Sequence, residues 1–102
     1  MASYLANAFS LQMLAKLPAS VNITEVAPTE VPADAVSVIG HADTAAVVSN
    51  ILGREVPANR VAITLQPGDI LYVAQLVGGR LPEGATTLPE GFTLKFLRVE
   101  VK

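Results

Sequence analysis

The sequence predicts a single α/β domain, in which a mixed sheet of about five strands carries flanking helices. Strand and helix signals alternate in the first half of the chain, and strand signals dominate the second half. The length of 102 residues suits one domain with one core. No linker, repeat or low-complexity stretch divides the sequence, so we expect residues 1–102 to fold together.

The first half begins with a predicted strand and a short helix. Residues 3–9 are a short apolar run that predicts the strand, and Ser10 is a suitable N-cap for a helix that Pro18 ends. In the segment SVNITEVA, Val21 and Ile23 alternate with polar residues, which predicts a half-buried strand. The proline-rich segment PTEVPADAVSVIG then predicts a loop that leads into a short helix.

The best helix signal in the chain lies in ADTAAVVSNILG. Small and apolar residues recur there near helical spacing, and Gly53 is a typical C-terminal stop. In the second half, residues 60–65 and 69–77 are rich in strand-forming residues, with a Pro67-Gly68 pair between them that suits a type II turn. We therefore expect those two segments to form an antiparallel hairpin, followed by an irregular loop and a final strand in FTLKFLRVEV.

Composition narrows the classes of partner. Apolar residues make up 51% of the chain and charged residues 16%, a larger apolar share than a small monomer needs, so we expect a homodimer. The net charge of −2 argues against capture of long DNA or RNA, which requires a continuous basic face. A small anionic ligand held by a few arginines is compatible with this charge.

The sequence also predicts chemistry without a metal or another cofactor. The chain has no cysteine, and its single histidine, His41, cannot supply a usual zinc site alone. No segment reaches the roughly 18 to 20 apolar residues that cross a bilayer, and the N-terminus lacks the charged start of a secretory signal. We therefore expect a cytoplasmic protein that has no membrane partner.

His41 lies where a run of small and apolar residues meets the predicted helix. The amides and the positive dipole end of a helix N-terminus suit a phosphate group, so His41 could donate a proton there to a leaving alkoxide. The alternative is a histidine that only hydrogen-bonds to a backbone group.

The loop GGRLPEG contains a second set of candidates. Its glycines let the backbone approach a ligand, and the planar guanidinium of Arg80 matches phosphate oxygens. Glu83 could orient Arg80 or contact the ligand itself. The alternative is an exposed ion pair in a flexible surface loop, worth at most about 1 kcal/mol.

Several other polar residues lie near predicted element ends. Asn7, Ser10, Gln12 and Gln75 are each, taken singly, more typical of a cap or a loop hydrogen bond than of a ligand contact. Arg60 flanks a predicted strand and is either a surface cation or a member of a basic pocket.

Four segments together resemble the viral anti-CRISPR ring nuclease family, which also has prophage and bacterial members. They are YLANAFSLQML, IGHADTAAVVSNILG, NRVAITLQPGDILYVAQLVGGRLPEG and LKFLRVEV, and they occur in the family's order and spacing over nearly the whole chain. The resemblance implies a homodimer that binds cyclic tetra-adenylate, the second messenger of type III CRISPR defence, across its interface. It also implies metal-independent cleavage of this ring to linear di-adenylates.

The resemblance further implies roles for individual residues. The histidine of GHADT falls on His41, the general acid, and the arginine and glutamate of GRLPEG fall on Arg80 and Glu83, which would hold and polarise the scissile phosphate. Three further polar residues would contact the ligand: Ser10 near the reacting ribose, Asn7 and Gln75.

The implied reaction is an in-line attack of a ligand 2′-hydroxyl on the adjacent phosphate. Arg80, helix-end amides and His41 would supply charge neutralisation, geometry and a proton for the departing 5′-oxygen. A twofold dimer would present two His41 side chains to a ring that has its own twofold axis. The alternatives are a non-catalytic protein that binds or sequesters cyclic oligoadenylate, and a structural homodimer without a nucleotide ligand.

Overall fold

In a computed structural model that describes residues 2–79 and 81–102, five strands form one mixed sheet and an α-helix packs on it. The strands are β1 (Ser3–Ala6), β2 (Val21–Val26), β3 (Val36–Ser37), β4 (Ile70–Val77) and β5 (Thr93–Val101), in the spatial order β2-β5-β4-β1-β3. The helix α1 spans Ala42–Leu52, and short 3₁₀ turns occur at Leu11–Met13 and Pro28–Glu30. The predicted class, a single α/β domain with a mixed five-stranded sheet, is confirmed.

Three neighbouring strands of the sheet run parallel. β1 pairs in parallel with β3 on one side and with β4 on the other, whereas β5 pairs antiparallel with both β4 and β2. The carboxyl ends of β1, β3 and β4 therefore meet at one edge of the sheet. The segments that follow these strands, which begin at Asn7, Val38 and Gly78, are brought together there.

Successive side chains of a strand point to opposite faces of the sheet. Buried apolar residues occur on both faces, so the sheet has a core on each side. The helix face carries a core that includes Leu5, Ile39, Val48, Tyr72 and Phe96. The second face carries another core that is centred on Ala6, Leu65, Leu71, Val73 and Val99. Each fully buried large side chain contributes about 1.5–3 kcal/mol to folding, so the two cores together hold the sheet between its covering segments.

The helix α1 forms where the sequence predicts it. Ala45, Val47 and Val48 form its buried side, and Gly53 ends it in the left-handed conformation with its N–H bonded to the carbonyl of Ser49 at 2.9 Å. Within residues 2–79 and 81–102, no helix combines the length and the apolar character needed to span a membrane.

The predicted hairpin of residues 60–65 and 69–77 is wrong. The turn between them does form, with a hydrogen bond of 2.9 Å from the N–H of Asp69 to the carbonyl of Gln66. However, β1 and β5 occupy both edges of β4, so no edge is left for residues 60–65. That segment packs on the second face instead, and only Leu65 makes an isolated bridge, with Leu14.

Three further expectations are corrected in the first half of the chain. The strand predicted at 3–9 ends at Ala6, and Phe9 packs against the core of the second face. The short helix expected after it is a single 3₁₀ turn, Leu11–Met13. The proline-rich segment contains β3, which exists because β1 offers it a parallel edge.

Candidate functional site

A cavity of about 430 Å³ lies on the helix face, at the edge where the three parallel strands end. We call it the helix-side cavity. The apolar residues Val47, Ala74, Leu76 and Leu94, contributed by α1, β4 and β5, line one part of it. Leu81 and Pro82 add further apolar lining, and the polar side chains of the wall are Asn7, His41, Asp43, Thr44 and Glu83. The combination suits a ligand that has both apolar rings and charged groups.

His41 is the N-cap residue of α1, yet its side chain does not cap the helix. Its backbone is extended, with φ −121° and ψ 127°, and its side chain is exposed and lines the helix-side cavity. The first backbone N–H groups of a helix have no partner within the helix, so they and the positive end of the dipole lie beside the imidazole. This arrangement suits an anion that approaches His41.

Glu83 and Asn7 reach the same cavity from other elements. Asn7 directly follows β1, and Glu83 belongs to the β4–β5 loop, which covers residues 78–92. The structure thus brings His41, Glu83 and Asn7 together although they are distant in sequence. Arg80 lies outside the described residues.

Ser10 and Gln75 lie elsewhere. The Ser10 hydroxyl accepts a hydrogen bond of 3.3 Å from the N–H of Gln12 and caps the 3₁₀ turn, as a helix cap would. Gln75 lies between Ala74 and Leu76, which face the helix-side cavity, and therefore points to the opposite face of the sheet.

On that opposite face Gln75 lines a second cavity of about 320 Å³, which we call the second-face cavity. Phe9, Ile23 and Leu97 contribute much of its apolar wall. Asn7 lines both cavities, so it stands at the sheet edge where the two faces meet.

Two side chains of α1 make hydrogen bonds to the backbone of the β4–β5 loop, beside the helix-side cavity. The Asp43 carboxylate accepts a hydrogen bond of 2.8 Å from the N–H of Gly84. The Asn50 amide donates one of 2.7 Å to the carbonyl of Thr86. Sequence reasoning missed both residues, although their separation, from position 43 to position 50, corresponds to two helical turns and places them on one face of the predicted helix.

An arginine also lies close to the start of α1. The stem of Arg60 packs against Gly40, the residue that precedes His41. Arg60 is exposed and lies in an irregular segment rather than beside a strand. Its cationic head is thus attached to a stem that is anchored next to the candidate site.

These residues define what the cavity can do chemically. An imidazole can transfer a proton, a helix N-terminus can hold an anion, and an amide and a carboxylate can orient hydroxyl groups. Among residues 2–79 and 81–102, no three side chains of His, Cys, Asp or Glu come together as a metal site would require.

The fold has a counterpart among solved structures. B116 of Sulfolobus turreted icosahedral virus (STIV) is similar to this chain, with a TM-score of 0.80, 23% sequence identity, and coverage of 98% of this chain and 99% of that chain. At this identity the likeness shows a shared fold. A comparison with curated proteins gives no match. The model of the STIV B116-like family matches residues 3–94, and the chain therefore belongs to the STIV B116-like family.

Proposed function

We propose that this protein is a metal-independent phosphodiesterase that binds cyclic tetra-adenylate across a homodimer interface and cleaves it to linear di-adenylates. Such an activity would switch off type III CRISPR signalling. One observation carries the proposal. The His41 side chain, at the N-terminus of α1, makes no capping hydrogen bond and lines the helix-side cavity together with Glu83. The resemblance of four sequence segments to ring nucleases supports the choice of ligand.

The proposed reaction is an internal transesterification. A 2′-hydroxyl of the ring attacks the adjacent phosphorus, so that a P–O2′ bond forms and the P–O5′ bond breaks. The 2′-hydroxyl proton passes to solvent, and the His41 imidazolium donates a proton to the departing 5′-oxygen. The product end is a 2′,3′-cyclic phosphate, and no redox partner is needed.

Charge neutralisation is the second requirement, because a ring of four phosphodiesters carries about four negative charges. The first-turn amides of α1 lie beside His41, and the stem of Arg60 lies against the preceding residue. In our proposal Arg80 and Glu83 of the β4–β5 loop complete the site by holding the scissile phosphate. A few such groups can hold the ring although the net charge of the chain is −2.

The apolar part of the cavity wall suits an adenine base. Val47, Ala74, Leu76 and Leu94 offer a surface against which a heterocycle can pack, while Asn7 can hydrogen-bond to a base or a ribose. Binding of bases in this way does not itself require cleavage, so a protein that only sequesters the ring would use the same cavity.

The homodimer in the proposal rests on composition and surface. The chain is 51% apolar, and Leu11, Leu17, Ile23 and Val77 expose large apolar side chains. A twofold dimer would present two copies of His41 to a ring with matching symmetry, and two opposite cuts would then yield the di-adenylates.

The test is cleavage of cyclic tetra-adenylate in EDTA by the wild type, His41→Ala and His41→Gln. Glutamine retains a hydrogen-bonding side chain of similar reach but cannot supply the proton. We expect the single-turnover rate to fall by about 10²-fold or more in both variants, while the ring still binds. Chromatography with mass detection identifies the di-adenylate products.

Each other outcome overturns part of the proposal. Wild-type rates in His41→Gln would remove His41 from the mechanism. An intact ring that co-elutes with the wild type would show sequestration instead of cleavage. Absence of any complex with cyclic tetra-adenylate would refute the proposed ligand.

A further inference from the structure

The described residues of the β4–β5 loop, 78–79 and 81–92, lie at the surface of the domain. None of its described residues from Leu81 to Phe92 is buried, so little apolar burial fixes its path. Its two ends are fixed by the pairing of Val77 with Thr93 in the sheet. Between those ends, two side chains of α1 make hydrogen bonds to the backbone of the loop.

The first of these contacts lies next to a candidate catalytic side chain. Gly84, whose N–H donates to the Asp43 carboxylate at 2.8 Å, directly follows Glu83. Because a peptide unit is planar, fixing the N–H of Gly84 also fixes the carbonyl group of Glu83. A carboxylate is a strong acceptor for such a bond, and Asp43 is in the first turn of α1, where the helix dipole favours negative charge.

The second contact lies two helical turns away along the same face of α1. The Asn50 amide donates to the carbonyl of Thr86 at 2.7 Å. Two attachment points, at Gly84 and at Thr86, restrain both sliding of this stretch along the helix and rotation about a single bond. Both hydrogen bonds are exposed, so they can break and re-form as a ligand enters or leaves.

We propose that Asp43 and Asn50 are positioning residues, which hold the β4–β5 loop on α1 and thereby fix Glu83 in the helix-side cavity opposite His41. The effect on cleavage rests on the proposed function, whereas the attachment of the loop does not. Asp43 has the larger effect of the two because its partner adjoins Glu83, whereas the partner of Asn50 lies farther along the loop.

The first measurement uses NMR to monitor amide hydrogen exchange of residues 81–86 in the ligand-free protein. In Asp43→Ala we expect the Gly84 amide to exchange at least about tenfold faster, because its acceptor is gone. Asp43→Asn restores an acceptor oxygen and should return most of the protection. Asp34→Ala, which removes an exposed carboxylate elsewhere, is the matched control and should leave this exchange unchanged.

The second measurement is the cleavage of cyclic tetra-adenylate. A misplaced catalytic group lowers the rate of the chemical step, so we expect kcat to fall by about ten- to a hundredfold in Asp43→Ala, with a smaller change in KM and with recovery in Asp43→Asn. Asn50→Ala should lower kcat less, and Asn22→Ala, at an exposed asparagine of β2, should leave it unchanged.

The two measurements separate failure of this inference from failure of the proposed function. Unchanged Gly84 exchange in Asp43→Ala would overturn the attachment, whatever the protein cleaves. If the wild type does not cleave the ring while Gly84 exchange rises as expected, the proposed function fails and the loop attachment stands. If exchange rises but kcat is that of the wild type, Asp43 does not position Glu83 for catalysis.

Discussion

The stem of Arg60 lies so close to Gly40 that a Cβ atom on Gly40 would stand 3.2 Å from Cγ of Arg60. Such a contact is tighter than ordinary van der Waals packing, so the absence of a side chain at position 40 creates the room for the arginine. Gly40 precedes His41, and the close approach therefore anchors Arg60 beside the start of α1.

The first prediction concerns this arginine. Arg60→Ala should lower the affinity for cyclic tetra-adenylate about ten- to a hundredfold, since a charge-assisted contact to phosphate contributes about 1.5–3 kcal/mol. The difference should shrink as salt concentration rises, which calorimetry at two ionic strengths can measure. Arg54→Ala is the matched control, because Arg54 donates to the carbonyl of Pro32 at 2.9 Å and lines a different cavity. Equal affinity in wild type and Arg60→Ala would contradict the role.

The second prediction compares two glycine-to-alanine substitutions, Gly78→Ala and Gly53→Ala, at positions where the added Cβ meets different surroundings. At Gly78, which has φ +121°, an added Cβ would lie 2.9 Å from the carbonyl oxygen of Gly91, a backbone atom that cannot simply rotate away. At Gly53, which has φ +72°, the added Cβ would meet no atom within 4 Å beyond the adjoining chain, so the substitution costs only the strain of the left-handed conformation, about 1–2 kcal/mol.

Gly78→Ala should therefore displace the base of the β4–β5 loop and slow cleavage of the ring, whereas Gly53→Ala should keep the cleavage rate. Urea unfolding and single-turnover cleavage of both variants check this. A Gly78→Ala protein that cleaves at the wild-type rate would show that the base of the loop tolerates the change.

The third prediction concerns stability. The Ser49 hydroxyl donates to the carbonyl of Ala45 at 2.7 Å and accepts from the N–H of Val56 at 2.8 Å, so it joins the end of α1 to the following segment. Ser49→Ala leaves the Val56 N–H without this acceptor and should lower the free energy of unfolding by about 1–3 kcal/mol. In Ser20→Ala, at an exposed position, the change should stay within about 0.5 kcal/mol. Comparable stabilities of the two variants in urea would disprove the linking role.

The fourth prediction follows from the opposite faces on which His41 and Gln75 lie. The sheet separates the helix-side cavity from the second-face cavity, so we expect a ring that contacts both side chains to take one from each protomer of the proposed dimer. Two mixed dimers, purified through different tags, can test this arrangement.

One mixed dimer carries His41→Ala on one subunit and Gln75→Ala on the other, and the second carries both substitutions on one subunit. If each site combines residues of both subunits, the first dimer keeps one intact site and should cleave faster than the second. Faster cleavage by the second dimer would assign both residues to one subunit. A mass in solution close to 10.7 kDa instead of twice that value would contradict the dimer itself.

The sequence by itself predicted the elements whose signals are local. The bounds of α1 follow from small and apolar residues at helical spacing and from Gly53, and β2 and β5 follow from alternation and strand-forming residues. Local features, the start of a helix and a glycine-rich loop, also indicate the candidate residues His41 and Glu83. Such signals act over a few residues, which is why they can be read along the chain.

Only the tertiary structure decided which strands pair and which face each side chain takes. Residues 60–65 have the composition of a strand but find both edges of β4 occupied, while the short β3 is a strand because β1 offers it an edge. Gln75 lies within a strand that is apolar on both faces, so the sequence pattern did not fix its orientation. The contact of Asp43 with Gly84 joins positions 41 residues apart. These features depend on long-range strand pairing and on register. The periodicity of apolar residues along a short segment does not specify either of them.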